Sequence, residues 1–167
     1  MKIIQSLPRV MLGAWPTPLQ HAQQLSGHLG CPLYIKREDM TGLGAGGNKA
    51  RKLEFQLGQA QADGATHVIT TGAIQSNHAH LTAAAARKLG LIPHLVLSGT
   101  PAAEKHGNLL LDALMESGIT FVSPPAGRPP LDTINEVMLD IAAGITREGG
   151  TPCIIPEGGT DALGTIG

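Results

Sequence analysis

Lys49 ends a glycine-rich run, TGLGAGGNK (41–49), and opens a helical pattern with Leu53, Leu57 and Ala60 on one face. A cation in the first turn of a helix is disfavoured by the macrodipole. Arg51 and Lys52, next along the helix, act in the same sense. Both effects work toward the neutral amine that forms a Schiff base with an aldehyde. A solvated basic first turn accounts for the same spacing. Gly42, Gly44 and Gly47 also satisfy G-x-G-x-x-G. That fingerprint needs an apolar strand before it and an acid about twenty residues on, at the end of the next strand. Here the preceding segment is the charged IKREDM (35–40), and the next strand ends in Thr70, Thr71 and Gly72, so a dinucleotide site is disfavoured.

A second segment, TTGAIQSNHAH (70–80), is a strand-to-helix turn carrying Gln75, Ser76, Asn77 and His78. Turns at the carboxyl ends of parallel strands are where open α/β sheets bind ligands, and free N–H groups at a helix start suit a carboxylate or phosphate. The plainer reading is an N-cap followed by polar turn residues. His78 and His80, two apart at a helix start, point in different directions and make a poor metal pair, so no metal site is expected. The third segment is IPEGGTDALGTIG (155–167). Gly158, Gly159 and the N–H groups of Thr160 to Leu163 form a phosphate-sized cradle. Asp161 suits that cradle only if its side chain turns away to cap the helix that follows.

Elements that alternate in period position these segments. HVITTG (67–72), IPHLVLSG (92–99), ITFVSP (119–124) and TPCIIPEGG (151–159) read as strands. Between them lie helices over 76–89, with Ser76 as N-cap and Gly90 after its end, over 108–117 with a stop at Gly118, and over 131–147. The last puts Leu131, Ile134, Met138, Ile141 and Ile145 on one face. Short apolar strands alternating with helices predict a parallel sheet covered on both faces, so 66–155 reads as a compact α/β unit. The helix at Lys49–Ala62 takes Asn48 as its expected N-cap. The first fifty residues break the rhythm, with Pro16, Pro18, a short helix near 19–29 and a strand PLYIKRED (32–39).

Among the 167 residues, 42% are apolar and 15% charged, with 12 Lys+Arg against 13 Asp+Glu. This excludes a disordered tail, and the lack of a basic excess argues against a nucleic-acid partner. No run of about 18 apolar residues is present, and the MKIIQSLPRV start is too brief an apolar stretch for a signal peptide, so no membrane partner is expected. Cys31 and Cys153 are isolated, which favours a reduced, cytoplasmic protein.

GGNKARKLEF (46–55), GAIQSNHAHLTAAAARKLGL (72–91), GNLLLDAL (107–114) and IPEGGTDALGTIG (155–167) resemble the D-cysteine desulfhydrase and 1-aminocyclopropane-1-carboxylate deaminase family. AWPTPL (14–19) and IKREDMTGL (35–43) fit the same family, so the resemblance covers nearly the whole chain. It implies the tryptophan-synthase-β fold type and pyridoxal 5'-phosphate as cofactor. The chain is then expected to divide into an N-terminal part of a large domain (1–50), a small three-layer α/β domain (51–154) and the start of the remainder of the large domain (155–167).

The resemblance also implies roles. Lys49 is the Schiff-base lysine, and Asn77 hydrogen-bonds the cofactor's ring hydroxyl. Ser76, with the N–H groups of Asn77 and His78, receives the substrate carboxylate, and Ser76 shares in proton transfer. Gly158, Gly159, Thr160, Ala162, Leu163 and Gly164 hold the phosphate, although Thr160 and Asp161 stand where many relatives carry Ser and Asn. Family members run to about twice this length. The implied reaction is α,β-elimination on a small amino acid, first D-cysteine, with an L-cysteate sulfo-lyase or a 1-aminocyclopropane-1-carboxylate deaminase as alternative activities, in an enzyme that is a homodimer when complete. A catalytically inactive remnant of such an enzyme is the alternative of another class.

Overall fold

The computed structural model describes residues 2–100, 104–123, 125, 127 and 129–167. Its centre is a four-stranded parallel sheet of β3 (His67–Ala73), β4 (Ile92–Ser98), β5 (Gly118–Val122) and β6 (Pro152–Ile155), in the order β5-β4-β3-β6. Strand β3 lies inside, with Ile69 facing His94 on one side and Ile154 on the other. Period-2 alternation sends Leu95 and Leu97 to one face and Val96 to the other. On the first face lie α4 (Asn77–Lys88) and α5 (Gly107–Leu114). On the second lies α6 (Pro130–Arg147), whose Ile134, Met138 and Ile145 pack against Ile69, Val96 and Val122. Burying each such side chain stabilises the layer by about 1.5–3 kcal/mol. The fold is three-layered α/β, as the alternation of periods predicts.

The remaining helix of the unit, α3 (Lys49–Ala62), packs beside α4. Leu53, Leu57 and Ala60 join Val68, Leu81 and Ile155 in one buried cluster that also takes in Leu12 and Leu43 from the N-terminal segment. That segment contains α1 (Lys2–Gln5), β1 (Leu19–His21), α2 (Gln23–Leu29) and β2 (Tyr34–Lys36), and the chain closes with α7 (Ala162–Ile166).

Several expected boundaries move. Residues 19–21 form a strand instead of the start of a helix, because Leu19, Gln20 and His21 pair antiparallel with Lys36, Ile35 and Tyr34. The strand expected over 32–39 shortens to 34–36, and Glu38–Met40 forms a 3-10 turn that sends Glu38 to Arg51. Helix α5 ends at Leu114, with Glu116 at φ 51, so Gly118 begins a strand and does not stop a helix. The strand expected over 119–124 ends at Val122, and residue 124 lies outside the described residues. The strand expected over 151–159 ends at Ile155, where the chain turns at Pro156. On α6, Leu131 stays 49% exposed, one turn short of the sheet.

Candidate active site

Lys49 is the first residue of α3, at the side where parallel strands β3 and β6 end. Asn48 occupies the position before it with φ −65 and ψ −21, and its side chain makes no capping bond, so the expected cap is absent. The chain enters α3 through Gly46 (φ 81) and Gly47 (φ 142), and the Gly47 N–H donates to the Glu38 carbonyl at 2.9 Å. Asn48 therefore continues the helical backbone and lacks the extended geometry that a capping side chain needs. A Cβ on Gly47 would stand 2.5 Å from Asn77 Nδ2, so this glycine lets the α4 start approach the residues before Lys49. Among the described residues, the Lys49 ammonium makes no hydrogen bond or ion pair.

Ser76 caps α4 from an extended backbone (φ −63, ψ 120), its hydroxyl accepting from the Ala79 N–H at 3.2 Å. The amides of Asn77 and His78 stand in the first turn, where the helix offers no acceptor. The Ser76 hydroxyl occupies the space a Cβ on Gly72 would need, which requires glycine at the end of β3.

The His78 imidazole is buried behind this turn. Thr70 has one proton and donates it to the Ile155 carbonyl at 2.9 Å. The 3.0 Å bond between Thr70 and His78 Nε2 is thus assigned as the imidazole donating to the hydroxyl. Nδ1 is then an acceptor, buried and without a hydrogen-bond partner among the described residues. Burial, and then the charges of Lys49 and Lys52, push the His78 pKa down to about 4, so the ring is neutral at pH 7.

Opposite Lys49, the turn after β6 places Gly158 (φ 66) and Gly159 (φ 63) in the left-handed region. A Cβ on Gly158 would lie 4.0 Å from Lys49 Nζ, and one on Gly159 would lie 3.2 Å from His78 Cε1 and 2.9 Å from Gln56 Oε1. Lys52 donates to the Gly158 carbonyl at 3.4 Å. Asp161 turns away from the cradle: Oδ1 accepts from the Gly164 N–H at 2.6 Å as the N-cap of α7, and Oδ2 accepts from Gln56 Nε2 at 2.9 Å. The Gly164 amide is thereby committed, while Ala162 and Leu163 stand in the first turn of α7 with no acceptor inside the helix. Gly164 itself admits close contact with the Gly159 carbonyl.

Lys49, Asn77, His78, Gly158 and Gly159 thus converge through direct neighbours, with Thr160 following in the same turn. Ser76 sits on the adjoining turn with its hydroxyl engaged in capping. Sequence reasoning missed Thr70, which fixes the His78 tautomer, and Gln56, which fixes Asp161. It also missed Glu54, whose fully buried carboxylate accepts from Arg9 at 2.6 and 2.8 Å, from the Leu12 N–H at 2.9 Å, from the Gly13 N–H at 3.3 Å and from Trp15 Nε1. Burial alone would raise its pKa; the donors, led by Trp15 and Leu12, outweigh that and hold it low. This network ties residues 9–15 to the helix that carries Lys49. His80 points elsewhere, to Asp112 on α5, and among the described residues no group of three or more His, Cys, Asp or Glu side chains is arranged to hold a metal ion. No helix among them is long and apolar enough to cross a membrane.

Comparison with known proteins places these features in context. The profile of a family described as pyridoxal-phosphate dependent enzymes matches residues 10–167. A Pyrococcus horikoshii protein provisionally named a 1-aminocyclopropane-1-carboxylate deaminase is 47% identical over 166 residues, 99% of this chain and 49% of the relative. The D-cysteine desulfhydrase of Klebsiella pneumoniae strain 342 is 41% identical over 165 residues, 96% of this chain and 48% of the relative. A solved structure described as an ACC deaminase homologue superposes with TM-score 0.88 at 42% identity, covering 99% of this chain and 49% of that one. A solved structure described as a T.th. threonine deaminase shares the fold, with TM-score 0.63 at 23% identity over 90% of this chain and 42% of that one. The chain spans about half the length of the curated relatives it matches.

Proposed function

Because the chain belongs to the family of pyridoxal-phosphate dependent enzymes, we propose that Lys49 is the covalent attachment point of the cofactor and the base of a lyase acting on a small amino acid. One observation carries this reading: an amine with no partner of its own faces, across 4.0 Å to a would-be Cβ, a turn whose two glycines hold a left-handed backbone that disfavours side chains. The residues present suit a phosphorylated aldehyde. The left-handed glycines 158 and 159, the amides of Ala162 and Leu163 and the Thr160 hydroxyl would hold the phosphate, and Lys52 adds positive charge beside them. Asn77, against Gly47, would hold the ring hydroxyl. The cofactor, when bound, supplies an electron sink that makes the Cα–H of an amino acid acidic.

The chain's own residues would do the rest. The Ser76 turn, with the first-turn amides of Asn77 and His78, would orient the substrate carboxylate. The Lys49 amine would take the proton from Cα. The neutral His78 ring adds no positive charge beside that amine, and its buried bulk excludes water behind the turn. The favoured reaction converts D-cysteine and water to pyruvate, hydrogen sulfide and ammonia, with L-cysteate as the alternative substrate for the same proton removal; 1-aminocyclopropane-1-carboxylate, the third candidate, carries no hydrogen on Cα, so its ring opening would not begin with that step. The domain division at residues 50 and 154, a homodimeric whole enzyme and a reducing cytoplasmic setting belong to the same proposal, the last supported by the free Cys31 and Cys153.

The experiment is borohydride reduction of the chain with added pyridoxal phosphate, followed by peptide mapping and an assay for keto acid with each of the three amino acids. A pyridoxyl group on Lys49 alone and turnover of one substrate is the expected result. Scattered label would reject Lys49 as the attachment point. A second reading, an inactive remnant, is favoured by the exposure of Leu19 (66%), Tyr34 (57%) and Ile35 (45%) on the small β1–β2 sheet. Label on Lys49 without turnover of any of the three would select it.

A further inference from the structure

Gln75 precedes the turn residues discussed above and has no part in the proposed chemistry, yet it is the most heavily engaged side chain of that turn. Its Oε1 accepts from the Asn108 N–H at 2.8 Å, and its Nε2 donates to the His106 carbonyl at 3.1 Å. In return, Asn108 Nδ2 donates to the Gln75 carbonyl at 3.0 Å. Helix α5 begins at Gly107, and the residue before it, His106, contributes no capping side-chain bond. Gln75 therefore supplies across 33 positions the cap that α5 lacks locally. Gly107 is required for this approach, since its φ is +57 and a Cβ there would collide with Gln75 Oε1.

Two more contacts tie the same pieces together. Ile74, next to Gln75, fills the space beside Gly99 at the end of β4, where a Cβ would lie 2.8 Å from Ile74 Cδ1. One turn into α4, the fully buried His80 Nδ1 meets Asp112 Oδ1 of α5 at 3.1 Å. The turn after β3 is thus held from the α5 side by a reciprocal carboxamide clamp at its start and a buried polar pair behind it.

We propose that Gln75 is a positioning residue: by docking α5 onto the turn after β3, it fixes where that turn presents the amides of Asn77 and His78. The carboxylate role of those amides rests on the function proposed above; the clamp itself does not.

The test uses the full 167-residue chain and two variants, Gln75→Ala and Gln75→Glu. The Glu variant keeps an acceptor for Asn108 and loses the donor toward His106. Hydrogen exchange is followed at Asn108 and at Ser76, Ala79 and His80, whose amides donate to the Ala73 carbonyl, the Ser76 hydroxyl and the Ser76 carbonyl. In Gln75→Ala, exchange is expected to rise about tenfold at both places while strands β3 and β4 keep their protection. Gln75→Glu should give a smaller rise, and it carries the test if the Ala variant does not fold. Faster exchange confined to α5, or no change, overturns the proposal, because Gln75 would then be only a cap. With pyridoxal phosphate loaded, the dissociation constant for D-alanine should rise about tenfold in Gln75→Ala while the borohydride label on Lys49 persists. An unchanged constant also overturns the proposal. Failure of the unsubstituted chain to bind D-alanine would count against the substrate reading, and the exchange measurement would then decide the clamp alone.

Discussion

Helix α3 carries charge on two sides, and the two sides are treated oppositely. Toward the N-terminal segment, Glu54 takes five hydrogen bonds, and Arg51 holds Glu38 at 2.7 and 2.8 Å while lying over the Trp15 ring at 4.2 Å. Toward the turn after β6, Lys49 has no partner among the described residues and Lys52 has one long bond to a carbonyl. Saturated charges hold an element in place, whereas an unsaturated charge beside free amides and a buried unpartnered Nδ1 keeps its capacity for a ligand. The scaffold side frees the ligand side, because α3 does not need Lys49 to stay where it is.

Substituting each side separates them. Lys49→Ala should abolish the borohydride-stable label and lower any keto-acid turnover by about 10³-fold or more, with stability changed by less than about 0.5 kcal/mol in denaturant titration. If stability fell as well, the amine would have a structural role and the contrast would blur. Glu54→Leu should do the reverse. It leaves the buried Leu12 amide without its acceptor and should cost about 2–4 kcal/mol, read as a lower urea midpoint at unchanged slope.

His78 lies between the two regimes, buried yet exposed to the field of Lys49 and Lys52. In the unfolded chain it takes up its proton near pH 6.5, but in the fold only near 4. Acidification across that window therefore loads a proton onto the unfolded form alone, and stability should fall by up to about 3 kcal/mol as pH drops from 6.5 to 4. Urea titrations of His78→Gln should lose that component of the slope. The smallest effect belongs to a charge pair outside both regimes. Arg37 bonds Asp39 at 2.6 Å on an exposed turn, where solvent screens the pair, and Arg37→Ala should leave the urea midpoint unchanged.

The sequence discloses the side of α3 that faces the sheet and hides the side that faces the N-terminal segment. Period-2 strands and the Ala-rich 76–89 stretch are local signals, and so are the capping Ser76 and Asp161, which is why the layers and the positions of the three chemistry-bearing turns were legible. Glu54 and Gln56 fall off the Leu53–Leu57–Ala60 stripe and read as solvent-facing; their partners lie 39–45 and 105 positions away. The pairing of residues 19–21 with 34–36 is hidden for the same reason, since short strands exposed on both faces carry no apolar alternation to announce them. The Asn48 cap failed on geometry that only the neighbouring glycines decide.

Strand β3 is bonded to β4 across 25 positions and to β6 across 85. Closing the longer loop costs about 1 kcal/mol more in chain entropy. Pairing β3 with β4 is thus the less costly closure, and pairing β3 with β6 the more costly one. The turn that follows β6 therefore joins the lysine and the Ser76 turn through the more costly of the two closures. An anion that favours the finished turn would act as a latch on that closure.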